Sequence, residues 1–204
     1  MEAQILVVPR EKLFKNIDTP DGFGTENAEL FLERVRKEYV FANRREAEDR
    51  PDLKQIIPYI LVAHVSPQKK EKHVFIMKRA DTQDEERLRN LYSLGVGGHL
   101  NPELDSHTDA LTAGLQRELN EELIINTKYE LKLTGYINDD SNPVGQVHFG
   151  LAYTAFTETM NVEIREKELM SGRFATIEEV TNLYPYMESW SQILFRNIDA
   201  FLKK

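Results

Sequence analysis

The sequence predicts an α/β protein in which helices flank a mixed β-sheet, and three observations carry that prediction. Short apolar runs of strand type alternate with amphipathic helical stretches along most of the chain. One stretch, from about His107 to Leu123, repeats Leu111, Leu115, Leu119 and Leu123 at four-residue spacing, so one face of it must be covered. No internal repeat, low-complexity tract or apolar run of membrane-spanning length interrupts the alternation.

Taken in order, Ile5 to Val8 ending at Pro9 reads as a short strand, Thr19 to Gly24 as a turn-rich loop, and Ala28 to Val40 as a helix with Phe31, Val35 and Tyr39 on one side. Asn43 to Lys54 reads as a charged connector. Ile56 to Val65 and His73 to Met77 are apolar enough to be central strands, and Leu91 to Gly95 forms a short strand leading to Gly97-Gly98. Ser106 or Thr108 can cap the helix that follows. Tyr129 to Ile137 and Gln146 to Phe156 are further strands, separated by the turn-rich NDDSNPVG. Thr176 and Glu179 form a capping box, and Trp190, Ile193, Leu194, Ile198 and Phe201 mark a closing amphipathic helix.

Composition bounds the chemistry. A chain of 204 residues suffices for one substantial core, so one domain with an N-terminal extension is expected. The absence of cysteine closes disulfide, zinc-thiolate and thiol-nucleophile chemistry. A net charge of -8 argues against a broad basic surface for nucleic acid, and no segment reads as a membrane span or signal peptide. A cytoplasmic protein is expected. A small anionic substrate stays open, because a bound metal changes the local sign.

Chemistry concentrates in the stretch from Gly97 to Ile125. Glu118, Glu121 and Glu122 fall on one strip of the helix, three and four positions apart. Like charges at these spacings cost roughly 0.2–0.5 kcal/mol per pair, and only Arg117 offers simple local relief. A hard divalent cation would remove that cost, which suggests a platform for Mg2+ or Mn2+; a solvated acidic face would use the same spacing. The glycine pair ahead of the helix favours the platform.

Arg117-Glu118-Leu119-Asn120-Glu121-Glu122, led by Gly97-Gly98, resembles the REUxEE core of the Nudix box, the signature of the MutT-like pyrophosphohydrolases. The chain is also similar to predicted MutT-type phosphoesterases with an N-terminal extension and a GVGGH approach to the box. Two positions depart from the family pattern. Asp109 stands where the family has glutamate, with a five-residue insertion after Gly98, and Ile124 stands where the family has glycine. Asp109 either orients Arg117 or yields that role to Glu103, or the helix begins differently.

The resemblance implies a Nudix α/β/α sandwich with a mixed sheet over residues 55–204, preceded by an extension over 1–54 packed on it. It implies Mg2+-dependent hydrolysis of a pyrophosphate bond in a nucleoside diphosphate linked to another group. Glu118, Glu121 and Glu122, with a carbonyl at Gly98, would hold the metal, and Glu118, Arg117 and Glu121 would carry catalysis. Gly97, His99, Arg79 and Arg89 are candidate substrate contacts, with surface salt bridges the alternative for the arginines. Glu166 and Glu168 are candidate additional acids, as is Asp109, and the alternative for the two glutamates is a charged loop. A homodimer would give the extension a purpose. The competing reading is a Nudix-fold module that binds a nucleotide or nucleotide sugar without cleaving it.

Overall fold

The computed structural model describes residues 3–66, 71–80, 90–102 and 109–204. Ten of the strands among these residues join one sheet, whose main path runs through Met170–Thr176, Lys72–Arg79, Leu53–Val65, His148–Thr157, Tyr129–Asn138 and Gly22–Gly24 in that order. β4 (Leu53–Val65) is buried without a break from Lys54 to Ala63, as a strand covered on both faces must be. The sheet is mixed. Lys54 reaches the carbonyl of His148 and His64 that of Thr157, so β4 and β10 (His148–Thr157) run in the same direction, whereas β4 and β5 (Lys72–Arg79) pair antiparallel.

The chain forms two compact units, each assembled from three stretches. The first comprises Met1–Tyr59, Gly97–Glu118 and Leu133–Ala152. It opens with β1 (Gln4–Pro9), α1 (Arg10–Leu13), β2 (Gly22–Gly24), α2 (Ala28–Glu38), β3 (Val40–Asn43) and α3 (Arg44–Ala47). β1 pairs with β3 on one side and with the start of β4 on the other. Two expectations are corrected here. Gly22 to Gly24 is a strand paired with β9 (Tyr129–Asn138), not a loop. The charged connector begins as structure: Val40 leaves the helix for β3, and the Asn43 side chain caps α3 by accepting from the amides of Arg45 and Glu46. An aromatic cluster fills this unit, with Phe31 edge-on to Tyr136 at 4.8 Å and to Phe149 at 5.2 Å, and Phe14 edge-on to Phe149 at 5.7 Å.

The second unit comprises Ile60–Val96, Leu119–Lys132 and Tyr153–Lys204. β6 (Tyr92–Ser93) pairs with β5 and β7 (Gly95–Val96) with β4, delivering the chain to the glycine pair. β12 (Met170–Thr176) lies antiparallel to β5, with Phe174 opposite Phe75 and their rings 5.3 Å apart. β8 (Leu123–Ile125) and β11 (Val162–Ile164) form a separate antiparallel pair. Thr176 and Glu179 make the expected capping box at the head of α6 (Ile177–Leu183). The expected closing helix is split into α7 (Ser189–Arg196) and α8 (Ile198–Phe201). At the break the Asn197 side chain donates to the Ile193 carbonyl at 2.9 Å, a local bond that competes with the helical ladder.

α4 (Ala110–Glu122) spans the boundary between the two stretches it belongs to, and it carries the carboxylates. Its predicted apolar stripe is buried throughout: Leu111, Leu115, Leu119 and, just past the helix in β8, Leu123. The candidate caps Ser106 and Thr108 lie outside the described residues. In the NDDSNPVG loop, Asn142 accepts from the Gly145 amide and Pro143 takes the first helical position, so Pro143–Val147 closes into α5 and β10 starts at His148. No helix among the described residues is long and apolar enough to cross a membrane.

Candidate active site

The glycine pair sits where two close approaches leave no space for a side chain. A Cβ on Gly97 would lie 2.3 Å from the carbonyl oxygen of Pro58, and one on Gly98 would lie 2.4 Å from Glu118 Oε2. Pro58 is itself tolerated inside β4 because the ladder on this edge is interrupted there: β1 pairs with Leu53 to Gln55, and pairing with β7 starts at Ile60. Gly98 therefore packs its backbone directly on a carboxylate.

That carboxylate is 6% exposed. A buried charge needs a partner, and Arg117 supplies it, with Nη1 2.9 Å from Glu118 Oε1. The other end of the same guanidinium donates from Nη2 to the carbonyl of His99 at 2.8 Å. One planar, forked side chain thus fastens both the carboxylate and the loop that carries Gly97, Gly98 and His99. Within α4, Glu121 is exposed and Glu122 partly exposed.

The family's missing glycine has a structural reason. The helix runs straight into β8, where Ile124 pairs with Glu163 of β11. Arg165 then closes the helix end: its amide donates to the Glu122 carbonyl at 2.9 Å and its Nε to the Asn120 carbonyl at 2.5 Å. A strand residue serves where a helix-terminating glycine would otherwise stand.

Asp109 stands immediately before α4. Its Oδ2 accepts from Arg36 Nη2 at 2.8 Å and Nε at 3.1 Å, and from the Thr112 hydroxyl at 2.8 Å. It ties the start of α4 to α2, so it pairs with Arg36 and not with Arg117. Glu103 and Arg89 lie outside the described residues. Arg79 Nε lies 3.8 Å from Glu188 Oε2, both side chains largely buried, and the Glu188 carboxylate also accepts from Ser93. Glu166 and Glu168 are exposed in the turn between β11 and β12, where the Glu166 carbonyl accepts from the amides of Leu169 and Met170.

His99 turns its ring inward. Its Nε2 lies 2.7 Å from Gln55 Oε1 and 3.3 Å from His148 Nε2. Burial lowers its pKa to about 3, with Arg44 and His148 adding to the effect, so it is a neutral imidazole.

The polar pair Lys54-Gln55 escaped the sequence reading, which began the strand at Ile56. Both are fully buried. Lys54 Nζ donates to Asp140 Oδ1 at 2.8 Å and to the carbonyls of Gly145 and His148 at 3.0 and 3.1 Å. Burial lowers its pKa to about 8 against the pull of Asp140. Asp140 also binds Arg10 in two hydrogen bonds; burial pushes its pKa up, but the bonds from Arg10 and Lys54 outweigh this and hold it at about 2. The visible signal was a lysine directly before an apolar strand. Asp139, by contrast, forms the turn, accepting from Ser141 and Asn142.

The donor set suits a hard cation. Glu118 is held in place beside a backbone position that any side chain would fill, and the other carboxylates follow on the same helix. Among the described residues no three His, Cys, Asp or Glu side chains converge into a ready cage. Mg2+ commonly takes one or two carboxylates and completes its shell with water and substrate phosphate, so such a set fits it.

No protein-family model matches the chain. It is 35% identical over 204 residues to Protein YmaB of Bacillus subtilis (strain 168), covering 95% of this chain and 96% of the relative. Among solved structures it is similar to Tm1382, a candidate Nudix hydrolase, at 32% identity and a TM-score of 0.79, covering 96% of this chain and 97% of that one. The Nudix domain of Shewanella oneidensis NrtR, solved with ADP-ribose, shares the fold at a TM-score of 0.57 and 12% identity, over 74% of this chain and 89% of that one.

Proposed function

This chain belongs to the Nudix (MutT-like) hydrolase superfamily, and from that premise we propose that it hydrolyses a pyrophosphate bond in a nucleoside diphosphate linked to another group. The observation that carries the proposal is the buried Glu118 carboxylate, clamped by Arg117 and packed on Gly98. Glu118, Glu121 and Glu122, with a carbonyl at Gly98, would hold Mg2+ or Mn2+. When bound, that ion would draw charge off the phosphate oxygens and lower the pKa of its water.

The chain's own groups do the rest. Glu118 accepts the proton of the attacking water, and Arg117 holds it at the angle where it can do so. Glu166 and Glu168 are the alternative acids. The Gly97 backbone and His99, neutral, are the proposed substrate contacts in the loop ahead of α4. Domain organisation is part of the proposal, with 55–204 as the catalytic module and 1–54 as its extension, working in the cytoplasm as a homodimer.

The test is a screen of nucleoside triphosphates, dinucleoside polyphosphates, ADP-ribose, NADH and sugar nucleotides with Mg2+ or Mn2+, on the wild type and Glu121→Gln. Metal-dependent product release that collapses in the variant is the expected result. Binding without turnover under any metal would replace the hydrolase with the nucleotide-binding module, a reading supported by the NrtR Nudix domain with its ADP-ribose.

A further inference from the structure

A cluster of three side chains beside the glycine loop does more than the proposed hydrolysis asks of it. His99 Nε2 and His148 Nε2 face each other at 3.3 Å, with Gln55 Oε1 2.7 Å from the former. The hydrogen-bond roles follow from the partners. His148 Nδ1 lies 2.6 Å from the Val144 carbonyl, which can only accept, so that nitrogen carries the proton and Nε2 presents its lone pair. His99 must then carry its proton on Nε2, between the Gln55 oxygen and the His148 lone pair. One proton sits among three electron-rich atoms.

We infer that His99, His148 and Gln55 form a second cation site, for a divalent d-block ion that prefers imidazole, separate from the carboxylates of α4. Binding moves the His99 proton from Nε2 to Nδ1, so that both Nε2 atoms offer lone pairs to the ion. The spacing of the two imidazoles supports it: two nitrogens each 2.0–2.1 Å from a tetrahedral zinc are about 3.3–3.4 Å apart, the separation found here, while Gln55 Oε1, now 2.7 Å from His99 Nε2, would draw back by roughly 0.6 Å to share the ion. The ligand orientation supports it as well. Imidazoles that bind metal usually donate their other nitrogen to a carbonyl or carboxylate, as His148 does to Val144.

The backbone of each ligand residue is held from outside. The His148 carbonyl accepts from buried Lys54, the His99 carbonyl from Arg117, and Gln55 lies in β4 opposite Val7 of β1. Gln55 Nε2 is buried with no hydrogen-bond partner, so this amide is positioned by its oxygen alone. Among the described residues no further His, Cys, Asp or Glu joins them, which leaves coordination positions for water or an anion. Imidazole nitrogens select Zn2+, Co2+, Ni2+ or Cu2+ over Mg2+.

The test uses one equivalent of Co2+ added to the full-length protein in excess Mg2+, which occupies oxygen sites. The expected result is a visible ligand-field band of nitrogen-bound Co2+, abolished in His148→Ala and weakened in Gln55→Ala, but kept in Glu121→Gln. Long-range proton–nitrogen spectra of the wild type give a readout free of folding: His148 is protonated on Nδ1, and Zn2+ shifts Nε2 of both histidines. A band that survives in His148→Ala, or is lost in Glu121→Gln, places the ion on the carboxylates and overturns the inference. Unmoved histidine nitrogens under Zn2+ overturn it equally. Neither failure touches Mg2+-dependent turnover, which rests on α4.

Discussion

Replacing either glycine of the pair by alanine adds the same methyl group, yet the two substitutions should fail in different assays. In Gly98→Ala the new Cβ meets Glu118 Oε2 at 2.4 Å and its Cδ at 2.7 Å, whereas ordinary contact begins at 3.4 Å. The carboxylate must retreat by about 1 Å. It is the far end of a side chain, so folding loses little, about 1 kcal/mol. Catalysis loses more, because displacing a reacting group by that distance costs roughly 10²-fold in rate. In Gly97→Ala the obstacle is the Pro58 carbonyl at 2.3 Å, a backbone atom inside β4 that cannot step aside. That variant should lose about 1–3 kcal/mol of stability. The assays are kcat/KM on the best substrate of the screen and urea unfolding of both variants. A Gly98→Ala protein within threefold of wild type would refute the placement of Glu118 at the reacting centre.

Three further outcomes are expected. Arg117→Ala should remove the clamp on both Glu118 and the His99 carbonyl and lower kcat/KM by about 10²-fold; Arg117→Lys, lacking the fork, should restore little of it, as steady-state kinetics will show. Asp109→Asn, which loses an ion pair whose side chains are 50% and 37% exposed, should cost under about 1 kcal/mol by urea unfolding. The Asp140 network should give a pH dependence of known sign. Its folded pKa of about 2 lies below the ordinary 3.8, so the unfolded chain takes up the proton first, and stability present above pH 3.8 is lost as pH falls towards 2. The loss is about 2 kcal/mol, measurable by urea unfolding at several pH values and absent in Asp140→Asn. Lys54 acts at the other end: its folded pKa of about 8 lies below 10.5, so stability rises between those values.

Local signals were read well where the physics is local. The leucine stripe of α4, the capping box at Thr176 and Glu179, and the long apolar run of β4 each depend on spacing within a few residues, and each is as expected. Asn43 and Asn142 were local signals too, helix caps inside stretches read as connector and loop. Lys54 was illegible for the opposite reason. Its burial is made tolerable by Asp140, Gly145 and His148, all more than 80 residues away, and nothing beside it in the chain announces them.

By itself the sequence determined the chemistry available: hard carboxylates at helical spacing, an arginine next to them, two glycines ahead, and no thiol anywhere. Those follow from residue type and short-range geometry. Only the tertiary structure decided which carboxylate is buried, that Arg117 holds the loop as well as Glu118, that Asp109 turns to Arg36, and that His99 meets His148 across 49 residues. Each of these depends on which strands lie side by side, and that pairing is set by burial over the whole chain rather than by any one stretch of it.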